Sequence, residues 1–172
     1  MTAAGAAVPA RDERIRKMED QNRSDECIAL GNLHDVFLNA SLCHSKMLES
    51  PVEQEVWKFT ISPRGRFERM WITYLYVLVE AWRSPFMAGA KSLMNSVYSS
   101  YRIDALISQG EKDGSLSKMK NVRDYMCHRD KREYWDAGRT DVAGRFQYNE
   151  ILHEAFSEAF LAALVLMSRG EP

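Results

Sequence analysis

No glycine-rich phosphate loop, no carboxylate-rich metal motif and no nucleophile elbow occurs in this 172-residue chain, so the chemistries those motifs announce have no anchor here. Long apolar runs are missing too. The longest, around Trp71 to Trp82, is interrupted by Thr73 and Glu80 and falls short of the roughly 20 residues a membrane span needs, which excludes an integral membrane protein. Cysteine is sparse: Cys27, Cys43 and Cys127 are odd in number and at no framework spacing, in a chain large enough to do without staples. A reducing cytoplasm is the expected location. Met1 to Ala10 is small and apolar but has neither the basic flank nor the long apolar stretch of a secretory signal, and reads as a frayed tail. Excess charge is absent as well. With a formal net charge of -1 and a pI near 6.4, no global positive field gathers nucleic acid or an anionic membrane, so any such contact must come from a local patch. No internal repeat or low-complexity tract is present.

What is present is helical periodicity, in a chain of a length that suits one domain with a real core. Residues 1–24 are expected to form a flexible or solvated arm, and residues 25–172 a single helical-bundle domain. Arg11 to Glu26 alternates charge sign with almost no apolar stripe, as a solvated helix or arm does. From Asp25 the pattern changes. Leu30, Leu33, Phe37, Ala40, His44 and Met47 recur at three and four, predicting the first core helix up to Ser50-Pro51.

Val52 to Gly65 reads as a connection closed by Pro63-Arg64-Gly65. Phe67, Met70, Trp71, Tyr74, Leu75, Leu78 and Trp82 then form the clearest stripe, with Tyr76, Val77 and Val79 adding apolar surface outside it, so this helix is expected to be central. After Ser84-Pro85 the pattern is ambiguous until a short helix at Tyr101 to Ile107. Lys112-Asp113-Gly114-Ser115 reads as a turn with Ser115 capping the next helix, whose core face is Leu116, Met119, Val122 and Met126. Tyr134 to Tyr148 is expected to be a loop. Asn149 would cap a final helix with Leu152, Ala155, Phe156, Ala159, Phe160 and Ala163 inward. The sum is an all-α, antiparallel bundle of four to five helices.

The stretch that proposes a chemistry is Arg123-Asp124-Tyr125-Met126-Cys127-His128. RNA carries its own nucleophile, so cleaving it requires only proton transfer and stabilisation of extra negative charge on phosphate. A histidine titrating near neutrality does the first; a permanently charged, fork-shaped arginine does the second. On a continuous helix, five positions set the two side chains about 140° apart with about 7.5 Å of rise, so one helix presents them divergently. A two-fold axis beside the motif, or an unwound helix end at His128, would let them converge. Between Lys118 and Arg132, six cations (Lys118, Lys120, Arg123, Arg129, Lys131, Arg132) face two anions (Asp124, Asp130), a local excess of four positive charges. Such a patch suits a polyanion, although helix C-termini also attract cations through the macrodipole.

An arginine, a polar residue, three further positions and a histidine on a packed helix of an all-helical bundle resembles the HEPN superfamily (higher eukaryotes and prokaryotes nucleotide-binding domain). Its motif is Arg, four to six residues, then His, often with Asn, Asp or His after the Arg; Arg123, Asp124 and His128 match it. The resemblance covers roughly Asp25 to Met167, and includes an aromatic-rich helix bearing Glu80 ahead of the motif helix. It implies a metal-independent endoribonuclease, commonly a toxin or defence effector with a cognate antitoxin, working as a homodimer whose motifs face one another and leaving a 2',3'-cyclic phosphate. His128 would be the general acid or base, Arg123 would stabilise the phosphate's charge, and Asp124 would orient either of them. Some family members have a tyrosine two residues after the histidine as a modification site; here that position is Asp130, so regulation by that route is not implied.

Glu80, a carboxylate on an apolar helix, calls for a partner, and Arg123 is the expected one. Lys120, Arg129, Lys131 and Arg132 are the candidate RNA-binding cations. No cofactor is expected and no metal ligand is assigned: Cys43-His44 and Cys127-His128 are adjacent pairs whose side chains point about 100° apart on a helix. His44 reads as a hydrogen-bonded core residue, while His34 and His153 carry no partner signal. Two rivals remain open. One is a non-catalytic helical-bundle dimer that binds a nucleotide, RNA or protein; the other is an antitoxin or accessory protein that binds through the arm at Arg11 to Glu26.

Overall fold

Apolar residues spaced at three and four become helices wherever the computed structural model describes the chain, which is over residues 8–52, 62–95, 98, 101–127 and 142–168. Six α-helices are present among these residues, and no strand: α1 (Val8–Glu49), α2 (Pro63–Arg83), α3 (Ala88–Asn95), α4 (Tyr101–Lys112), α5 (Ser115–Cys127) and α6 (Val142–Ser168), with a 3₁₀ turn at Pro85–Met87. The all-α bundle expected from periodicity is what forms. Its additional helix is the short α3, in the segment whose pattern was ambiguous.

α1 runs unbroken from the charged stretch into the core stripe. No glycine or proline interrupts the chain between Arg16 and Leu30, so the change at Asp25 is one of burial and not of backbone. Glu13, Arg16, Lys17, Glu19 and Asp20 are exposed, and Lys17 pairs with Glu13 one turn away at 2.9 Å. Further on, Leu30, Leu33, Phe37, Ala40, Cys43 and Met47 are buried. The last carbonyls of α1 are met by Arg64, whose Nη1 donates to Met47 O at 3.0 Å and Ser50 O at 3.1 Å. These orphan acceptors at a helix end gain a cation where the macrodipole favours one.

Ser62 caps α2 by accepting from the Gly65 N–H at 3.1 Å, and Pro63 occupies the first helical position, where its missing N–H costs nothing. The buried stripe of α2 is Trp71, Ile72, Leu75, Leu78, Val79 and Trp82. Phe67, Met70 and Tyr74 are only partly buried, and Val79, expected outside the stripe, lies inside it. The reason is that α2 packs against α1 and α5 together, which widens its inward face. Among the described residues no helix is both long and apolar enough to cross a membrane.

At the α4–α5 turn Gly114 takes φ of 78°, a left-handed value that favours glycine. The Asp113 carboxylate accepts from the Ser115 N–H at 2.8 Å. Asp113 is thus the capping side chain, two residues before the expected Ser115, which is itself the first helical residue. α6 likewise begins earlier than expected. Its helix already includes Val142 to Tyr148, and Asn149 is an interior residue, 2% exposed, instead of a cap. Contacts between α1 and α6 descend on one helix as they ascend on the other (His34 with Phe160, Ser41 with His153, His44 with Glu150), so the pair is antiparallel. All six inward positions expected on α6, from Leu152 to Ala163, are buried.

Candidate functional site

α5 brings the first half of the motif against α2. Leu116 and Met119 are buried and Val122 packs against the core, which fixes the helix azimuth and turns Arg123 and Asp124 toward the outer side of α2. There Arg123 Nη2 donates to Glu80 Oε1 at 3.0 Å, the pairing anticipated from a carboxylate set among apolar positions of that helix. Arg123 Nε also faces Asp124 Oδ1 at 3.0 Å, off the hydrogen-bonding direction, so this second contact is charge against charge. The guanidinium lies over the Tyr76 ring, 5.2 Å from its centroid, within cation–π range. Burial, and then the Glu80 charge, push the Tyr76 phenol up from its ordinary value. One quarter of the Arg123 side chain remains exposed.

Two carboxylates and an aromatic face therefore aim one guanidinium in a fixed direction. The Glu80 side chain is 46% exposed, so the pair contributes orientation more than stability. Lys120 is exposed on the same helix. Arg69 on α2 lies within electrostatic reach of Tyr125 and adds a cation near the motif that its position in an apolar stripe does not signal. α5 is helical through Cys127, which is exposed. His128, Arg129, Lys131 and Arg132 lie outside the described residues.

A second polar cluster joins α1 and α6. His44 Nε2 is 2.8 Å from Glu150 Oε1, and Ser41 Oγ is 3.0 Å from His153 Nε2. The two imidazole centroids are 4.8 Å apart, and His44 lies 4.6 Å from the Trp71 ring. Burial, with His44 adjacent, pushes His153 down to about 4, so it is neutral at neutral pH. One donor atom from each of His44, Glu150 and His153 fits within 4.8 Å of the others. His44 is thus the hydrogen-bonded residue expected, but the role of His153 was not foreseeable. The only local hint is that Glu150 and His153, at i and i+3, share a helix face.

No protein-family model, no curated protein and no solved structure matches this chain.

Proposed function

We propose that the protein is a HEPN-like, metal-independent endoribonuclease acting as a homodimer, in which Arg123 and His128 of each subunit face a shared scissile linkage. The observation that carries this reading is the Arg123 guanidinium, aimed by Glu80, Asp124 and Tyr76 near the end of the helix that leads into His128, and still partly open to solvent. A pre-oriented arginine is what a developing phosphorane requires, because its charge is then in place before the reaction begins.

In the reaction, the ribose 2'-oxygen attacks the adjacent phosphorus and forms the 2',3'-cyclic phosphate. One imidazole takes the 2'-hydroxyl proton and the other protonates the departing 5'-oxygen. Arg123 balances the charge on the equatorial oxygens, and Lys120, Arg129, Lys131 and Arg132 hold the flanking backbone. Exposed Leu161, Leu164 and Val165 on α6 supply apolar surface of the kind a second copy covers. A cognate antitoxin and a cytoplasmic setting accompany this reading.

One observation favours a non-catalytic bundle that binds a nucleotide, RNA or protein: Arg123 already balances two carboxylates, as a structural ion pair does. The two readings separate when labelled RNA is incubated with the purified protein in EDTA, beside His128→Ala and Arg123→Ala. Cleavage to a 2',3'-cyclic end by wild type, reduced about 10²- to 10⁴-fold in His128→Ala, selects the enzyme. Equal background in all three selects the binding protein.

A further inference from the structure

We propose that His44, Glu150 and His153 form a binding site for one divalent transition-metal ion of the zinc class, with Ser41 holding the His153 ring in place. Two imidazoles and a carboxylate are the donor set such ions take with three protein ligands and an open fourth position for water, whereas calcium and magnesium favour oxygen-rich shells.

The geometry agrees with an ion of this size. Zinc bonds of about 2.0–2.2 Å place tetrahedral donor atoms about 3.4 Å apart, and the three donors already lie within 4.8 Å of one another. Between His44 Nε2 and Glu150 Oε1 a proton now occupies the 2.8 Å gap. The ion would replace that proton, opening this contact slightly while side-chain rotation closes the wider ones. The supporting helices are rigid at this level: Ala40 on α1 and Leu152, Ala155 and Phe156 on α6 are completely buried. The ligands themselves are not sealed off, with the His44 side chain 15% and Glu150 33% exposed, which leaves an entry path.

Ser41, 3.0 Å from His153 Nε2, is placed as the outer hydrogen-bond partner that fixes the plane of a ligating imidazole. Phe37, 5.2 Å from His153, and Trp71, 4.6 Å from His44, wall the cluster with apolar rings that strengthen its electrostatics. The bound ion would clip α1 to α6 through residues more than a hundred positions apart in sequence. The site is separate from the motif. Trp71 and Glu80 are nine residues apart on α2, roughly 13 Å of helix, so chelator-resistant RNA cleavage neither requires nor excludes it.

The test uses the full chain, stripped with EDTA and dialysed, then titrated with Zn²⁺ against a chromophoric chelator and separately with Co²⁺ for visible ligand-field bands. The expected result is one ion per chain and a raised thermal midpoint. Glu150→Gln, which preserves volume and a hydrogen-bonding oxygen, and His153→Gln should each weaken binding by more than the ~10- to 100-fold typical of outer-shell losses; Ser41→Ala should fall within that range. His128→Ala should bind as wild type. Circular dichroism without metal confirms that each variant is folded, and Glu150→Gln decides the matter if His153→Gln is not. Absence of saturable Zn²⁺ binding, equal binding by wild type and Glu150→Gln, or loss in His128→Ala alone overturns the proposal.

Discussion

Arg123 is charged at every physiological pH, so its neighbours determine where that charge points and not whether it exists. Glu80→Gln retains a side-chain acceptor but withdraws the charge that holds Nη2. Because both partners are partly solvated, a double-mutant cycle with Arg123→Gln, measured by urea denaturation, should give a coupling of about 0.2–1 kcal/mol. If Arg123 works on phosphate, RNA cleavage by Glu80→Gln should fall by more than that coupling explains, since a mis-aimed guanidinium loses pre-organisation while the fold survives. A coupling above about 2 kcal/mol would mark a structural pair and weaken the nuclease reading. The Glu80–Arg123 contact was legible in sequence because a carboxylate amid apolar helix positions restricts its own partners. Asp124 was legible only as a polar neighbour, and its contact with Nε depends on the rotamer that α2 imposes.

Helix boundaries follow short-range chemistry, and they show where periodicity stops being informative. Serine after glycine suggested a cap at Ser115, but the preceding aspartate reaches the Ser115 N–H first, because Gly114 at φ 78° bends the chain back. Hydrogen bonds from the Ser115 hydroxyl, and then from its N–H, hold the Asp113 carboxyl below the usual carboxylate range. A group with a depressed folded-state value contributes its stability above the unfolded value, near pH 4, and loses it as pH falls through the folded value. Asp113→Ala should therefore be less stable than wild type at pH 7, and the difference should shrink as pH falls below about 4 and vanish only below the folded value. A difference that persists unchanged below that pH would show that the carboxylate is not the capping group. The start of α6 was hidden for another reason. Gly144 and the charges around it resemble a loop, yet the helix extends back to Val142 and draws Asn149 inside.

Across the whole molecule, aromatic contacts tie the helices into one body: Trp82 on α2 meets Phe156 on α6 edge to face at 5.7 Å, and Phe156 stacks with Phe160 at 6.3 Å. Phe156 has no exposed surface, so Phe156→Ala should cost about 3–5 kcal/mol in urea denaturation, a large share of the ~5–15 kcal/mol typical of such a domain. A loss under 1 kcal/mol would mean that the core refills the cavity. Most inward residues of α1, α5 and α6 could be listed from sequence because burial recurs with the helical period, a local property of the chain; Cys43 is buried where His44 was expected, and Val122 and Met126 are only partly buried. Which helix faces which, and at what level, is not local. The register of α1 against α6 follows from the packing of the entire core, and it alone brings His44 and Ser41 to Glu150 and His153. The sequence by itself determined an all-α bundle, its inward faces and the Arg123 motif; tertiary structure decided the second cluster, because contacts between distant segments depend on helix azimuth and height, which no run of neighbouring residues encodes.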